Sequence, residues 1–261
     1  MKKDSDPKLL ASQRFGRLAG EYVTSSTHAR GQELQRLVEI VRPQPHWTIL
    51  DVATGGGHTA LAFAPFNTKL VALDIAFSML QSAREFVRSH AAENLCFVAA
   101  DAESLPFEDS AFDLVTCRIA PHHFPDCKRF VRESKRVLKV GGRLLVQDLV
   151  LPEEQDTARY IDAFEKLRDP SHNQAYAESQ WRAMFQSAGL TVEHAEQVVK
   201  QHDFAVWTGR QRCAADIVQE LISMVERAPN SVIDWLQPRD FSTAAASFVN
   251  RHLIIAGRKI R

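Results

Sequence analysis

The residues in this chain that can do chemistry fall at the ends of apolar runs. Asp51 follows "WTIL", Asp74 follows "LVAL" and Asp101 follows "FVAA". After the first comes "DVATGGGHTA", with three successive glycines. Glycine at a strand end lets the backbone turn sharply or approach a ligand. A pyrophosphate cradle reads G-x-G-x-x-G ahead of a helix. Here the order is Asp51-x-Ala53-x-Gly55-x-Gly57, and His58 and Thr59 stand where a third glycine belongs. A carboxylate ahead of the turn repels phosphate and suits a ligand with a cation near Asp51. In a doubly wound sheet, Asp74 at the second strand tip can accept from both hydroxyls of a ribose. Asp101 at the third tip can accept from an adenine amino group. The expected ligand is an adenosine with a positively charged, non-phosphate tail. A tight turn at the glycines, a helix cap at Asp74 and a turn at Asp101 are the plainer alternatives.

A second group follows the fourth apolar run, in "RIAPHHFPD". His122 and His123 have the residue type that moves protons near neutral pH, so either can serve an acceptor hydroxyl or activated carbon. Capping or packing of the next helix is the alternative. Arg168-Asp169-Pro170-Ser171-His172 reads either as a contact to an acidic or carbonyl acceptor group or as a salt-bridged turn. Asp148 ends the fifth run, as a pocket-mouth carboxylate or a solvated one. Phe204, Trp207 and Trp181 are read as core rather than as cavity walls.

These residues need strands to carry them. "WTILDVA", "TKLVALD", "NLCFVAAD", "AFDLVTCR" and "RLLVQDLV" read as buried strands of a parallel sheet. Between them lie helical patterns at "HTALAFA", "AFSMLQSAREFVRSH" and "PDCKRFVRESKRVLK". Pro125 is expected in the first turn of the last of these and Gly141 at its C-terminal cap. Strand and helix in alternation predict an α/β, Rossmann-like doubly wound sheet. Helices are expected over 153–168, 176–188 and 209–227, the last behind a capping box of Thr208 and Gln211. "LTVEHAEQVV" and "ASFVNRHLIIAGRK" are the last two strands. The expected division is an N-terminal helical cap over 1–45 and one domain over 46–261. Residues 203–240 form a helical insertion acting as a lid.

Composition narrows the function. Of 261 residues, 32 are Lys or Arg and 32 are Asp or Glu, so the formal net charge is zero. A nucleic-acid partner is therefore not expected. The four cysteines form no C-x-x-C pair, which predicts a reducing compartment and no metal site. No apolar run approaches the ~18 residues of a membrane span. "MKKDSDPKLL" lacks the apolar stretch of a signal peptide, so the expected location is the cytoplasm.

Four motifs, in order, carry a resemblance: "LDVATGGGHTA", "LVALDIAFSML", "FVAADAESLPFEDSAFDLVTCRIAPHHF" and "RVLKVGGRLLVQD". Together they resemble class I S-adenosylmethionine-dependent methyltransferases of the type 11 domain. Within these the chain is similar to the ubiquinone/menaquinone-biosynthesis C-methyltransferases, over nearly its whole length. The resemblance implies seven strands, mostly parallel, with an antiparallel last strand. It implies S-adenosyl-L-methionine as cofactor. Asp51 and the backbone of Ala53, Thr54, Gly55 and Gly57 would lie along the methionine moiety, and Asp74 would hold the ribose. Ile75 and Met79 would flank the adenine, and Asp101 and Ala102 would meet its edge. Arg118 and Ile119 would face cofactor and acceptor, with His28 reaching in from the N-terminal cap beside Tyr22. The family usually has glycine where Ala53 stands. The expected partner is a small-molecule methyl acceptor, methylated at carbon or oxygen more readily than nitrogen, on a monomer or homodimer. "APHHF" stands where amino-group methylation would show Asn-Pro-Pro-aromatic. Other possibilities are RNA or protein methylation, non-catalytic cofactor binding, and a nicotinamide enzyme.

Overall fold

The computed structural model describes residues 6–24, 32–66, 69–92, 94–241 and 243–261. Helix α1 (Pro7–Thr24) and α2 (Gln32–Val41) precede β1 (Thr48–Val52). Then follow α3 (His58–Phe63), β2 (Lys69–Asp74), α4 (Phe77–Ser89), β3 (Leu95–Ala99) and β4 (Phe112–Arg118). Next come α5 (Cys127–Val137), β5 (Leu138–Leu151), α6 (Gln155–Arg168), the short β6 (Tyr176–Ala177), α7 (Glu178–Ser187) and β7 (Leu190–Asp203). Helices α8 (Phe204–Arg210), α9 (Ala215–Glu226) and α10 (Asn230–Leu236) lead to β8 (Ser247–Lys259).

The sheet runs β3-β2-β1-β4-β5-β8-β7, with β6 beside β5 off that path. The first five strands are parallel, and β8 is antiparallel to both neighbours. Chain order reverses at β1, which pairs with β2 on one side and β4 on the other. In such sheets the crevice beyond the carboxyl ends of these strands is the ligand site.

Strand alternation sends side chains to two faces. Leu50, Val52, Val115, Cys117, Val146, Leu253 and Ile255 pack on one face with Phe130, Val131, Trp181 and Phe185. Ile49, Leu70, Leu114, Leu145, Ile254 and Ala256 pack on the other with Leu37, Val41 and Phe63. Farther along that second face, Leu149, Leu151 and Phe248 join Phe164, Trp207, Leu221 and Val232 in a separate cluster. Trp181, Phe204 and Trp207 are thus core residues.

Several local expectations are corrected. The single helix over 209–227 is two, α8 and α9, broken at Arg212 (φ 50°), and α10 follows. Thr208 does not cap the second. Its hydroxyl donates to the Phe204 carbonyl at 2.9 Å inside α8, whose N-cap is Asp203. Helix α5 is capped by Asp126, leaving Pro125 outside its first turn. It ends at Val137, and Gly141 (φ 83°) bends the chain within β5.

Gly257 on β8 marks the tightest helix-to-sheet approach. A Cβ there would lie 2.6 Å from the Phe185 ring. Gly257→Ala should therefore destabilise the fold by about 1–3 kcal/mol through overpacking, read from the denaturant midpoint.

Candidate active site

The loop after β1 is built by alternation. Ala53, Gly55 and Gly57 have φ of 52°, 54° and 83°. Every second residue is left-handed, which is why glycine recurs at that interval. The Thr54 amide donates to the Leu73 carbonyl at 2.9 Å, carrying the β1–β2 pairing into the loop. A Cβ on Gly57 would meet Val87 at 3.2 Å, so this glycine supplies the close packing on α4. A Cβ on Gly55 would meet nothing within 4 Å, because that backbone faces open space.

Two buried carboxylates brace the loop. Thr54 and Thr116 each donate a hydroxyl to Asp51 at 2.7 Å. Burial raises the Asp51 carboxyl to about 6, against the pull of those hydroxyls and of Arg118. Asp74 accepts from the Gly55 amide at 3.0 Å and the Ala76 amide at 2.9 Å. Burial raises it too, opposed by these N–H groups.

Beyond the loop opens a cleft of about 960 Å³, including its mouth. Of the residues singled out in the sequence, it is lined by Ala53, Thr54, Gly55, Asp74, Ile75, Met79, Asp101, Ala102, Arg118, Ile119 and His123. Asp51, Gly57 and His122 do not line it. His28 lies outside the described residues, as does the side chain of Tyr22. Lys8, Phe15 and Glu103 line the cleft and were not singled out for it. The Lys8 ammonium lies 2.6 Å from Asp101 and 2.5 Å from Glu103, so α1 reaches across the mouth. The signal was the spacing Lys8, Ala11, Phe15, one face of a helix.

The adjacent histidines have different surroundings. His123 stands edge-on to Phe15, ring centroids 4.8 Å apart. Its Nδ1 lies 3.0 Å from the Ser171 carbonyl oxygen, so Nδ1 carries the hydrogen and Nε2 the lone pair. Burial, with His122 beside it, pulls its pKa down to about 3. His122 stands behind it, ring centroids 4.1 Å apart. Its amide donates to one Asp148 oxygen at 2.8 Å and its Nδ1 meets the other at 2.6 Å. Burial lowers the His122 pKa, but the Asp148 carboxylate outweighs it and the net shift is upward. Asp148 is buried, not solvated.

The 168–172 run is a structural junction. Asp169 accepts from the Ser171 amide at 2.9 Å and from Gln211 Nε2 at 2.8 Å, and pairs with Arg14 at 3.1 Å. The Arg168 guanidinium lies 4.4 Å from the centre of the Trp207 ring. His172 Nε2 meets Asp162 at 2.7 Å. Among the described residues, no group of three or more His, Cys, Asp or Glu side chains is placed to hold a metal, and no helix is long and apolar enough to cross a membrane. All four cysteines are free.

A methyltransferase-domain profile matches residues 43–189. The chain belongs to the methyltransferase family. The uncharacterized methyltransferase YcgJ of Bacillus subtilis is 33% identical over 220 residues, 84% of this chain and 87% of its own. The YcgJ crystal structure superposes with a TM-score of 0.82 over 88% of this chain and 99% of that one. BH2331 of Bacillus halodurans C-125, a methyltransferase candidate, gives a TM-score of 0.84 at 36% identity, over 88% of this chain and 100% of that one. The ubiquinone/menaquinone biosynthesis C-methyltransferase UbiE of Hahella chejuensis is 36% identical over 121 residues, 45% of this chain and 49% of its own. The methyltransferase fold therefore includes the expected Rossmann-like sheet and antiparallel last strand.

Ala53 carries a Cβ at a left-handed position, which costs about 1–2 kcal/mol. Glycine also gives up about 0.4–1 kcal/mol through the unfolded chain. Ala53→Gly should leave the methyltransferase more stable by up to about 1 kcal/mol in a denaturant titration. His123 and His202 are both held near pKa 3 by burial. Between pH 3 and their unfolded value of about 6.5, the unfolded chain binds more protons than the native one. Stability should therefore fall as pH drops from 6.5, and His123→Gln should make the fall shallower. Asp51, raised to about 6, acts with the opposite sign between about pH 4 and 6.

Proposed function

We propose that this methyltransferase transfers a methyl group from S-adenosylmethionine to a small molecule, at carbon or oxygen. The observation that carries the reading is the make-up of the cleft. Glycine backbone, the Asp74 and Asp101 carboxylates and apolar walls at Ile75, Met79 and Ala102 converge at the carboxyl ends of β1, β2 and β3. Carboxylates in these positions suit ribose and adenine and oppose phosphate, which fits an adenosyl sulfonium better than a dinucleotide. The donor set fits the cofactor. Asp74 spends one lone pair of each oxygen on Gly55 and Ala76 and keeps capacity for ribose hydroxyls. Asp101 and Ala102 stand at the adenine edge, where Lys8 is already paired to Asp101. The open face of Gly55 admits the methionine moiety.

The bound cofactor supplies an already activated methyl donor, so the protein's work is alignment and desolvation. Phe15 and Ala11 of α1 close one side of the cleft and limit water. His123 offers its Nε2 lone pair to an acceptor hydroxyl. With its pKa near 3, it positions that proton rather than removing it. His122 has the features of a base: Nδ1 fixed by a buried carboxylate and an upward pKa. It stands behind His123, outside the cleft wall, so it acts on the acceptor through His123, whose pKa it helps to lower. The insertion over 203–240 acts as the acceptor-side lid, fastened to α1 through Arg14 and Gln211.

Calorimetric titration with S-adenosylhomocysteine and NAD tests the cofactor. Micromolar binding of the adenosyl ligand, about −8 kcal/mol, with none for NAD, is the expected result. Asp74→Ala should weaken it by about 1–3 kcal/mol through lost charged hydrogen bonds. Unchanged affinity in that variant would remove the site assignment.

A further inference from the structure

Helix α1 touches the cleft and, at the same time, a turn that lies behind it. Along one stripe Lys8, Ala11 and Phe15 line the cleft. Gly16 and Ala19 lie toward α4: a Cβ on Gly16 would come 2.7 Å from Ser78 Oγ, and Ala19 packs with Ala76 and Met79. Arg14 leaves these stripes and reaches the junction at residues 168–172. Its Nε lies 3.1 Å from Asp169 Oδ1 and 3.0 Å from Gln211 Oε1. Its Nη2 donates to Gln211 Oε1 at 2.8 Å and to the Gln211 carbonyl at 3.2 Å. A planar guanidinium that shares its donors in this way fixes orientation as well as distance.

The junction in turn holds His123. Asp169 and Ser171 are both buried. Asp169 Oδ1 accepts from the Ser171 amide at 2.9 Å and the Ser171 hydroxyl at 2.5 Å, and Oδ2 accepts from Gln211 at 2.8 Å. With its amide and hydroxyl so held, Ser171 presents its carbonyl oxygen to His123 Nδ1 at 3.0 Å. The flanking residues are clasped as well. The Asn173 and Gln174 amides donate to the His122 carbonyl at 2.8 and 3.0 Å, and Asn173 Nδ2 donates to the Phe124 carbonyl at 3.0 Å. Phe15 of α1 stands edge-on to the same His123 ring. One helix thus supplies the wall beside His123 and the cation that secures the turn behind it. A buried carboxylate keeps its place only when paired, and Arg14 supplies the pairing charge. An imidazole without a fixed Nδ1 acceptor exchanges between two neutral tautomers, and only one of them has its lone pair on Nε2.

We infer that Arg14 and Asp169 are positioning residues: acting through the Ser171 carbonyl, they hold His123 in the tautomer that turns an Nε2 lone pair to the acceptor. Neither residue lines the cleft itself. The inference rests on the proposed methyl transfer and deepens it. The helix that walls the cofactor cleft also sets the acceptor contact.

The test is the imidazole nitrogen NMR spectrum of the full chain at about pH 8, above the ordinary histidine value. Ring-nitrogen shifts separate the two neutral tautomers, and His123 is assigned by the signal lost in His123→Gln. Wild-type His123 should carry its hydrogen on Nδ1. Arg14→Met and Asp169→Asn should each lower the ratio of Nδ1–H to Nε2–H by about five- to ten-fold, the net worth of one hydrogen bond. Arg14→Lys keeps a charge beside Asp169 and should restore most of the ratio. Gly257→Ala strains the fold away from this network and should leave the ratio unchanged, which separates positioning from loss of stability. If Asp169→Asn fails to fold, the two Arg14 variants decide. A wild-type His123 with its hydrogen on Nε2, a ratio unmoved by Arg14→Met, or an equal fall in Gly257→Ala overturns the inference. The spectrum needs no ligand, so a failure to bind S-adenosylhomocysteine would sink the cofactor reading separately.

Discussion

The buried carboxylate of Asp51 is the fastening on which the site depends. It takes one hydroxyl from Thr54 in the loop and one from Thr116 in the adjacent strand. Loop, β1 and β4 are thereby joined at the point where strand order reverses. A buried carboxylate is stable only when its lone pairs are used, and here the neighbours use them. The loop is then free to turn its glycine backbone outward. Asp74 repeats the device one strand away, tying Gly55 to the start of α4. Neither brace needs a ligand to hold the loop in shape, so the cleft is preorganised.

The same economy separates the two histidines. They are neighbours in the chain, but one leans on a carbonyl and the other on a carboxylate. A carbonyl leaves the imidazole neutral and fixes its tautomer. A carboxylate favours the imidazolium. Environment thus shifts the pKa values of two like residues in opposite directions, the pattern by which acid and base roles are commonly set. Asp148 accomplishes this from within β5, one residue past Gln147, where the pairing with β4 ends.

Much of the sheet was legible because buried parallel strands are continuous apolar runs that end in recognisable polar tips. Asp74 and Asp101 were picked out that way, Ala102 and Arg118 through the family resemblance, and all four line the cleft. The interval Ala53, Gly55, Gly57 also carried its own cause, which the dihedral angles now make explicit. What could not be read were contacts between distant segments. Lys8 crosses to Asp101 and Glu103, and Arg14 to Asp169 and Gln211, across gaps that no local period reports. Asp51 was expected along the methionine moiety; its carboxylate also braces the loop through Thr54 and Thr116. Its type and position were visible, but the two threonines that claim its oxygens were not. The α8–α9 break failed for a local reason. Arg212 in a left-handed conformation ends the helix without the glycine that would have announced it.

The ends of the insertion have a consequence for the history of the fold. Asp203 and Ser247 are paired residues of β7 and β8, and the Phe204 amide donates to the Ala246 carbonyl at 2.9 Å. The chain leaves the sheet and returns to it at the same place, like a drawer on two rails. The entropic cost of closing such a loop grows only with the logarithm of its length. Segments of very different size can therefore be exchanged here without moving a strand. Lineages that keep one donor chemistry while changing acceptors have a ready place to do so, and so does an engineer seeking a new acceptor on an old scaffold.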